Sequence, residues 1–156
     1  MIESESPKVI KENCLRLLVR REHSQQELLD KLSVKGFDRA EVVKVVDDLA
    51  EQGWQSDQRF AESYARYRIK KGYGPIKISY ELYQRGIDCF DLECALLDIA
   101  DDWMELLEQI YHKKYADDKM LSNKEWLKRN RFLQQRGFSG EMINTLFKRL
   151  KLQTNY

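Results

Sequence analysis

Three stretches of the chain share one pattern of apolar and polar positions. Their glycines, Gly36, Gly86 and Gly137, lie 50 and 51 residues apart, and each follows a leucine by four positions and a cation by one. Beyond each glycine, apolar residues recur at the i, i+3, i+4 and i+7 positions of an amphipathic helix. These residues are Val42, Val45, Val46, Leu49; Leu92, Ala95, Leu96, Ile99; and Ile143, Leu146, Phe147, Leu150. Such a repeat predicts three tandem helical units.

Each of these glycines is placed to end one helix and let another begin. Glycine reaches the left-handed conformation that closes a last helical turn, and the preceding cation complements the negative helix end. Asp38, Asp88 and Ser139 come two residues later and can accept hydrogen bonds from the free amides of a new helix. We therefore expect positive φ at the three glycines and a helix start after each capping residue.

The segments between these joints complete three helices per repeat. Ser24 and Glu27 form an S-x-x-E capping box for the middle helix of the first repeat. Pro75, directly after Gly74, suits the first turn of the corresponding helix in the second repeat. The helix that opens each repeat is predicted near residues 9–21, 57–71 and 102–116.

The prediction is an all-α protein, in which nine helices form three tandem three-helix repeats in an elongated, curved helical array. The repeats are placed at residues 10–54, 55–101 and 102–151. A flexible N-terminus is expected at residues 1–9 and a frayed C-terminal tail at 152–156.

Composition supports a helical globular protein and excludes a membrane-spanning one. Of the 156 residues, 42% are hydrophobic and 34% are charged, and no apolar run is long enough to cross a bilayer. The N-terminus MIESESPK lacks the basic and apolar parts of a signal peptide. The cysteines, Cys14, Cys89 and Cys94, are odd in number and form no CxxC motif. A cytoplasmic protein is therefore expected.

The net charge of +1 conceals strongly alternating blocks. Residues 59–86 contain seven basic and two acidic side chains, a net charge of +5, and residues 109–156 have a net charge of +7. Residues 87–108 contain eight acids and no base, and residues 1–58 have a net charge of −3. A nearly neutral chain of this kind can present separate basic and acidic surfaces.

The sequence contains no recognisable catalytic, cofactor or metal constellation. His23 and His112 have no ligand partners at metal-site spacing, and phosphate-binding loop motifs are absent. The acids of residues 87–108 are interpreted as a solvated helix face or a charge-matched partner surface. Cys94 and the three tryptophans are expected to fill the core. We therefore predict no enzyme activity and no cofactor.

The strongest candidate for a binding function is the basic segment RFAESYARYRIKKGYGPIKISYELYQR. Its cations could neutralise phosphates, and its tyrosines could stack on bases. A solvated helix with Phe60, Tyr64 and Tyr67 packed inward explains the same composition equally well. A second basic cluster, KEWLKRNRFLQQR, favours binding, because two repeats then each present a cationic middle helix.

Residues 56–88 strongly resemble the central repeat of the RecX family, bacterial regulators of the RecA recombinase. The resemblance lies in Ser56-Asp57, Arg59-Phe60-Ala61, Tyr64, Arg68, Gly72-Tyr73-Gly74-Pro75, Ile78, Glu81-Leu82 and Gly86-Ile87. It extends to HSQQELLDKL with Gly36-Phe37 and Val45 in the first repeat, and to KRNRFLQQRGFSGEMI in the third. About residues 12–150 are covered, and the middle helix of the third repeat departs most.

This resemblance implies three tandem three-helix repeats and a non-enzymatic protein. Such proteins bind the RecA–single-stranded-DNA filament and suppress ATP hydrolysis, strand exchange and coprotease activity, and some members bind DNA directly. We expect a monomer whose basic residues face the filament or single-stranded DNA. The candidate binding residues are Arg59, Arg66, Arg68, Lys70, Lys71, Lys77, Arg85, Lys128, Arg129, Arg131 and Arg136.

Two other functions fit a basic, all-helical chain. A free-standing helical DNA-binding transcriptional regulator would read duplex DNA through a recognition helix, although three unlike units at this spacing fit that function poorly. A structural helical adaptor would bind neither nucleic acid nor filament.

Overall fold

A computed structural model describes residues 6–155, and within this range the chain forms nine α-helices and two short β-strands. The elements are α1 (Pro7–Arg20), α2 (Gln25–Val34), α3 (Arg39–Glu51), α4 (Asp57–Lys70), α5 (Pro75–Gln84), α6 (Glu93–Leu96), α7 (Trp103–Lys114), β1 (Met120–Ser122), α8 (Asn123–Gln135), α9 (Gly140–Arg149) and β2 (Gln153–Asn155). The predicted all-α repeat array is confirmed. Residues 1–5 of the expected flexible N-terminus lie outside the described residues, and α1 already begins at Pro7.

The glycine joints are confirmed at all three repeats. Gly36, Gly86 and Gly137 have φ values of 96°, 86° and 102°. Asp38 begins α3, since its side chain accepts a hydrogen bond from the Glu41 amide. In the same way Ser139 accepts from the Met142 amide at α9. The capping box of α2 and Pro75 as the first residue of α5 are also confirmed.

The last helix of the second repeat is much shorter than predicted. α6 spans only four residues, and Asp88 does not cap it. Instead, the side chain of Asp91 accepts a hydrogen bond from the Glu93 amide at 3.0 Å. Aspartate side chains compete with helical hydrogen bonding in this way, which explains the late helix start. The buried positions Leu92, Ala95 and Leu96 agree with the predicted apolar pattern.

A small parallel strand pair was missed by the sequence analysis. β1 pairs with β2, and Leu121 lies opposite Thr154. β1 lies between α7 and α8, in a segment for which no helix or strand was predicted, and β2 lies in the tail that was expected to be frayed. Leu121 is 3% exposed and Leu152 is 9% exposed, so burial of these two side chains holds the tail in place.

The described residues form two compact units. The first comprises residues 6–64 and 82–90, and the second comprises residues 65–81 and 91–155. α1, α2 and α3 surround a core in the first unit that includes Ile10, Leu28, Val46 and Leu49. The core of the second unit includes Leu107, Tyr111, Leu133, Ile143 and Phe147. Two of the three unit boundaries fall inside α4 and α5, so the second repeat contributes residues to each unit.

Candidate polyanion-binding face

The start of α5 meets the end of α8 through backbone hydrogen bonds within the second unit. The Gly74 amide donates to the Arg136 carbonyl at 2.7 Å, and the Ile76 amide donates to the Gly137 carbonyl at 3.0 Å. The free amides of one helix start are thereby paired with free carbonyls of another helix end. A Cβ at Gly137 would lie 2.5 Å from the Lys77 Cβ, so this approach requires glycine. This contact between α5 and α8 brings the two basic segments together.

Tyr73 directly precedes Gly74 at the contact between α5 and α8, and three cations lie against its ring. The Arg68 guanidinium lies 3.8 Å from the ring centroid, that of Arg136 lies 4.8 Å away, and the Lys77 Nζ lies 4.9 Å away. The electron-rich ring face attracts each charge. Arg136 also donates from Nη1 to the Lys71 carbonyl at 3.0 Å, which places its guanidinium against the end of α4.

Six of the predicted binding residues present their charge on the second unit. Lys70, Lys71, Lys128 and Arg131 are exposed, while Lys77 and Arg136 are half-buried around Tyr73. Lys128 lies four residues before Phe132 on one face of α8, and Arg136 is the residue that directly follows the helix. We call these residues the basic face: Lys70, Lys71, Lys77, Lys128, Arg131 and Arg136.

Arg66 and Arg68 are engaged in ion pairs within the second unit. Arg68 binds Glu81 through two parallel hydrogen bonds of 2.9 Å, and both side chains are largely buried. Such a two-pronged pair holds a guanidinium in one orientation. Arg66 lies 3.0 Å from the Asp98 carboxylate. Both arginine charges are therefore compensated by carboxylates of the same unit.

Arg59 and Arg85 belong to the first compact unit. Arg59 donates to Glu22 at 3.0 Å and to the Gly53 carbonyl at 2.9 Å, so it closes the end of α3. Arg85 lies 3.9 Å from a Glu27 oxygen and 4.6 Å from the Tyr64 ring centroid. Both arginines are therefore engaged by partners within the first unit.

Arg129 is buried, and this burial removes it from the predicted set of surface contacts. Its side chain donates to Glu125 at 2.9 Å and to the Tyr111 hydroxyl at 2.7 Å, and the residue is 5% exposed. Burial opposes its charge, but the hydrogen bonds to Glu125 and Tyr111 raise the pKa of Arg129 above its ordinary value. The helix turns Arg129 inward, whereas its neighbour Lys128 faces solvent.

Lys113 and Lys114 join the basic residues of the second unit, although the sequence analysis did not assign them to the site. They are the exposed last residues of α7, and the Lys114 Nζ lies 3.6 Å from the Phe132 ring centroid. Two consecutive lysines at a helix C-terminus also complement the helix dipole. The sequence alone therefore does not distinguish lysines that bind a ligand from lysines that stabilise the helix end.

Two residues that were predicted to fill the core, Trp54 and Cys94, are exposed instead. Trp54 is 60% exposed, and Cys94, on the single turn of α6, is exposed with its thiol 3.7 Å from an Asp91 oxygen. Trp103 and Trp126 are only partly buried. Cys14 is the buried cysteine, and burial raises the pKa of its thiol to about 11.

The acidic block has structural roles in the described chain. Asp98 pairs with Arg66, and Asp102 caps α7 by accepting from the Glu105 amide at 2.7 Å. Residues 6–155 contain no group of histidine, cysteine and carboxylate side chains that could hold a metal ion. Over the same range, no helix is both long and apolar enough to traverse a bilayer.

Fold and surface together define a helical-repeat protein with a basic face on its second unit. Three family models match the chain in order: the first three-helix domain of RecX at residues 11–49, the second at 56–96 and the third at 100–147. The chain belongs to the RecX family.

Similar proteins extend over nearly the whole chain. "Regulatory protein RecX" of Legionella pneumophila (strain Corby) is 41% identical over 140 residues, which are 90% of this chain and 93% of the relative. "Regulatory protein RecX" of Pseudomonas entomophila (strain L48) is 38% identical over 142 residues, covering 91% and 92% of the two chains. Relatives of this similarity support a RecX regulatory role.

Solved structures agree with the fold. The crystal structure of RecX from Lactobacillus salivarius matches with a TM-score of 0.71 at 24% identity, covering 92% of this chain and 96% of that one. A second crystal structure of regulatory protein RecX matches with a TM-score of 0.72 at 21% identity, covering 91% and 71%. The similarity to these structures shows the fold alone.

Proposed function

We propose that this protein binds the RecA–single-stranded-DNA filament and inhibits RecA ATP hydrolysis, strand exchange and coprotease activity, without catalysing a reaction itself. It thereby regulates homologous recombination and DNA repair in the cytoplasm. The observation that carries this proposal is the basic face of the second unit. Lys70, Lys71, Lys128 and Arg131 are exposed and form no ion pair with the described residues, so their charge is available to a polyanion.

A nucleoprotein filament suits this face because it presents many regularly spaced phosphates. Cations that neutralise phosphates release condensed counterions, and this release makes binding strong at low salt and weak at high salt. Affinity for single-stranded DNA should fall by about 0.7 log units per log unit of salt for each neutralised phosphate. Exposed tyrosines on α4 and α5, Tyr67 and Tyr80, add rings that can stack on bases.

The proposal is tested by RecA ATPase activity on single-stranded DNA with substoichiometric protein added. The test variant reverses four exposed charges of the basic face, Lys70→Glu, Lys71→Glu, Lys128→Glu and Arg131→Glu. The matched control reverses four exposed charges of α1 in the first unit, Lys8→Glu, Lys11→Glu, Arg16→Glu and Arg20→Glu. We expect the test variant to lose inhibition and the salt dependence of DNA binding, and the control to retain both.

Circular dichroism and the urea midpoint must be close to wild type in both variants, since exposed substitutions change stability little. Equal loss of inhibition in both variants would indicate a general charge effect and would contradict the assigned face. Sequence-specific binding to duplex DNA without RecA, measured by gel shift, would favour a free-standing DNA-binding transcriptional regulator instead. Intrinsic nuclease or ATPase activity that remains after purification to homogeneity would contradict the absence of catalysis.

A further inference from the structure

The second unit contains a cleft of about 410 Å³ formed by the C-terminal ends of α4, α7 and α8 and by the residue Ile99. Its apolar lining is mostly aliphatic. Ile69, Ile99, Leu106 and Ile110 contribute branched side chains, and Phe132 contributes the single aromatic ring among the lining residues. A cleft of this volume is in the range that accommodates small ligands or a few side chains.

The rim of the cleft is strongly basic. Among residues 6–155, no carboxylate lines it, and five cations do: Lys70, Lys71, Lys113, Lys114 and Arg136. The three helix ends contribute partial negative charges of about −0.5 each, so the cations exceed what the helix dipoles require by about three and a half charges. This excess favours an anionic occupant.

The ring of Phe132 is already occupied by cations. The Lys114 Nζ lies 3.6 Å from its centroid and the Arg136 guanidinium lies 5.1 Å away. A nucleobase would have to displace these groups in order to stack on the ring. The remaining apolar surface is aliphatic, and it matches aliphatic side chains better than flat bases.

We propose that this cleft binds an acidic peptide segment of a protein partner, with one or two aliphatic side chains of the segment inside the cleft and its carboxylates on the lysines of the rim. Burial of an aliphatic side chain on Ile99 and Ile110 would provide affinity, and charge complementarity would orient the segment. The proposal goes beyond the proposed function, since it assigns a protein ligand to this cleft and does not require a filament.

The test measures binding of a synthetic peptide to the full chain by fluorescence anisotropy. The fluorescein-labelled probe is a short peptide of glutamates with two leucines four positions apart, and the comparison peptide has serines in place of the leucines. We expect the leucine peptide to bind at least about tenfold more tightly than the serine peptide, a ratio that corresponds to about 1.4 kcal/mol.

The cleft variant is Lys113→Glu with Lys114→Glu, the last two residues of α7. Its matched control is Lys148→Glu with Arg149→Glu, the exposed last two residues of α9, which do not line the cleft. Both pairs change the same charge at a helix end, so their effects on helix stability should be similar. We expect the α7 pair to weaken peptide binding by at least about tenfold and the α9 pair by less than about threefold.

Three results would overturn the proposal: no binding of the leucine peptide, equal binding of the two peptides, or equal effects of the two charge reversals. Equal weakening of peptide binding and of single-stranded oligothymidylate binding by the α7 pair would also overturn it and would assign the cleft to nucleic acid, since Lys113 and Lys114 line the cleft and are not part of the basic face. Because RecA is absent from these measurements, failure here leaves the filament assay as an independent test of the proposed function.

Discussion

Replacing Gly137 by alanine should separate the effect of backbone conformation from the effect of close approach between α8 and α5. Gly137 has φ of 102°, and a Cβ there would lie 2.5 Å from the Lys77 Cβ and 2.8 Å from the Lys77 nitrogen. The matched control is Gly72→Ala in the same compact unit. Gly72 has φ of 89°, but its nearest neighbour would be the end of the Arg136 side chain at 3.4 Å. Both substitutions therefore strain the backbone, and only one of them forces atoms together.

The expected magnitudes follow from these contacts. Left-handed backbone costs an L-residue about 1–2 kcal/mol, and this cost applies to both variants. The overpacked contact at Gly137 should add about 1–3 kcal/mol. Separation of the helices would also weaken the hydrogen bonds from Gly74 and Ile76, each of which contributes about 0.5–1.5 kcal/mol. We expect Gly137→Ala to cost about 3–5 kcal/mol and Gly72→Ala about 1–2 kcal/mol.

The assay is urea unfolding followed by circular dichroism, with thermal unfolding as a second measurement. Each kcal/mol should lower the Tm by about 2–4 °C in a chain of this size. A free-energy loss for Gly137→Ala equal to that of Gly72→Ala would show that the close approach has no energetic consequence. That result would contradict the inference that the close contact between α5 and α8 positions the basic face.

Three further predictions concern buried groups. Burial, together with the charges of Arg21 and Lys31, lowers the pKa of His23, whose Nε2 lies 2.9 Å from the Lys31 Nζ. The unfolded state, with a histidine pKa of about 6.5, therefore binds the proton more readily than the folded state. The contribution of neutral His23 to the free energy of unfolding should be fully present above that pH and should fall as the pH is lowered. Between about pH 7 and pH 5, the free energy of unfolding measured with urea should fall less for His23→Gln than for wild type. An equal fall would contradict the assignment of this pH dependence to His23. Arg129→Gln should destabilise by about 1–3 kcal/mol, because it removes hydrogen bonds to Glu125 and the Tyr111 hydroxyl, yet single-stranded DNA affinity of the folded variant should be unchanged. A weaker affinity by fluorescence anisotropy would return Arg129 to the binding residues. Cys14, with its pKa raised by burial to about 11, should be alkylated by iodoacetamide far more slowly than the two exposed cysteines in native protein. Mass spectrometry of the labelled peptides measures the rates, and equal rates would contradict the burial of Cys14.

Sequence periodicity predicted the repeats and most of the helix ends because this information is local. The φ of Gly36 depends on its own missing side chain, and the Ser24–Glu27 box on residues three positions apart. The same rules were wrong for α6, where Asp88 was the predicted cap and the side chain of Asp91 instead accepts a hydrogen bond from the Glu93 amide. They also missed the β1–β2 pair, whose three-residue strands lie more than 30 positions apart in the chain.

The sequence by itself also located the positive charge, since residues 59–86 and 109–156 contain the basic blocks. Which cations are available to a ligand was decided only by tertiary structure. Lys128 and Arg129 are adjacent in one basic run, yet the first is exposed and the second donates to Tyr111, 18 positions earlier. Likewise, the cleft assembles residues 69–72 with residues 99–136, which no local pattern connects. Burial and ion pairing depend on the side chains that folding brings together from distant positions. For this reason the sequence predicted where the positive charge lies but not which cations are exposed to a ligand.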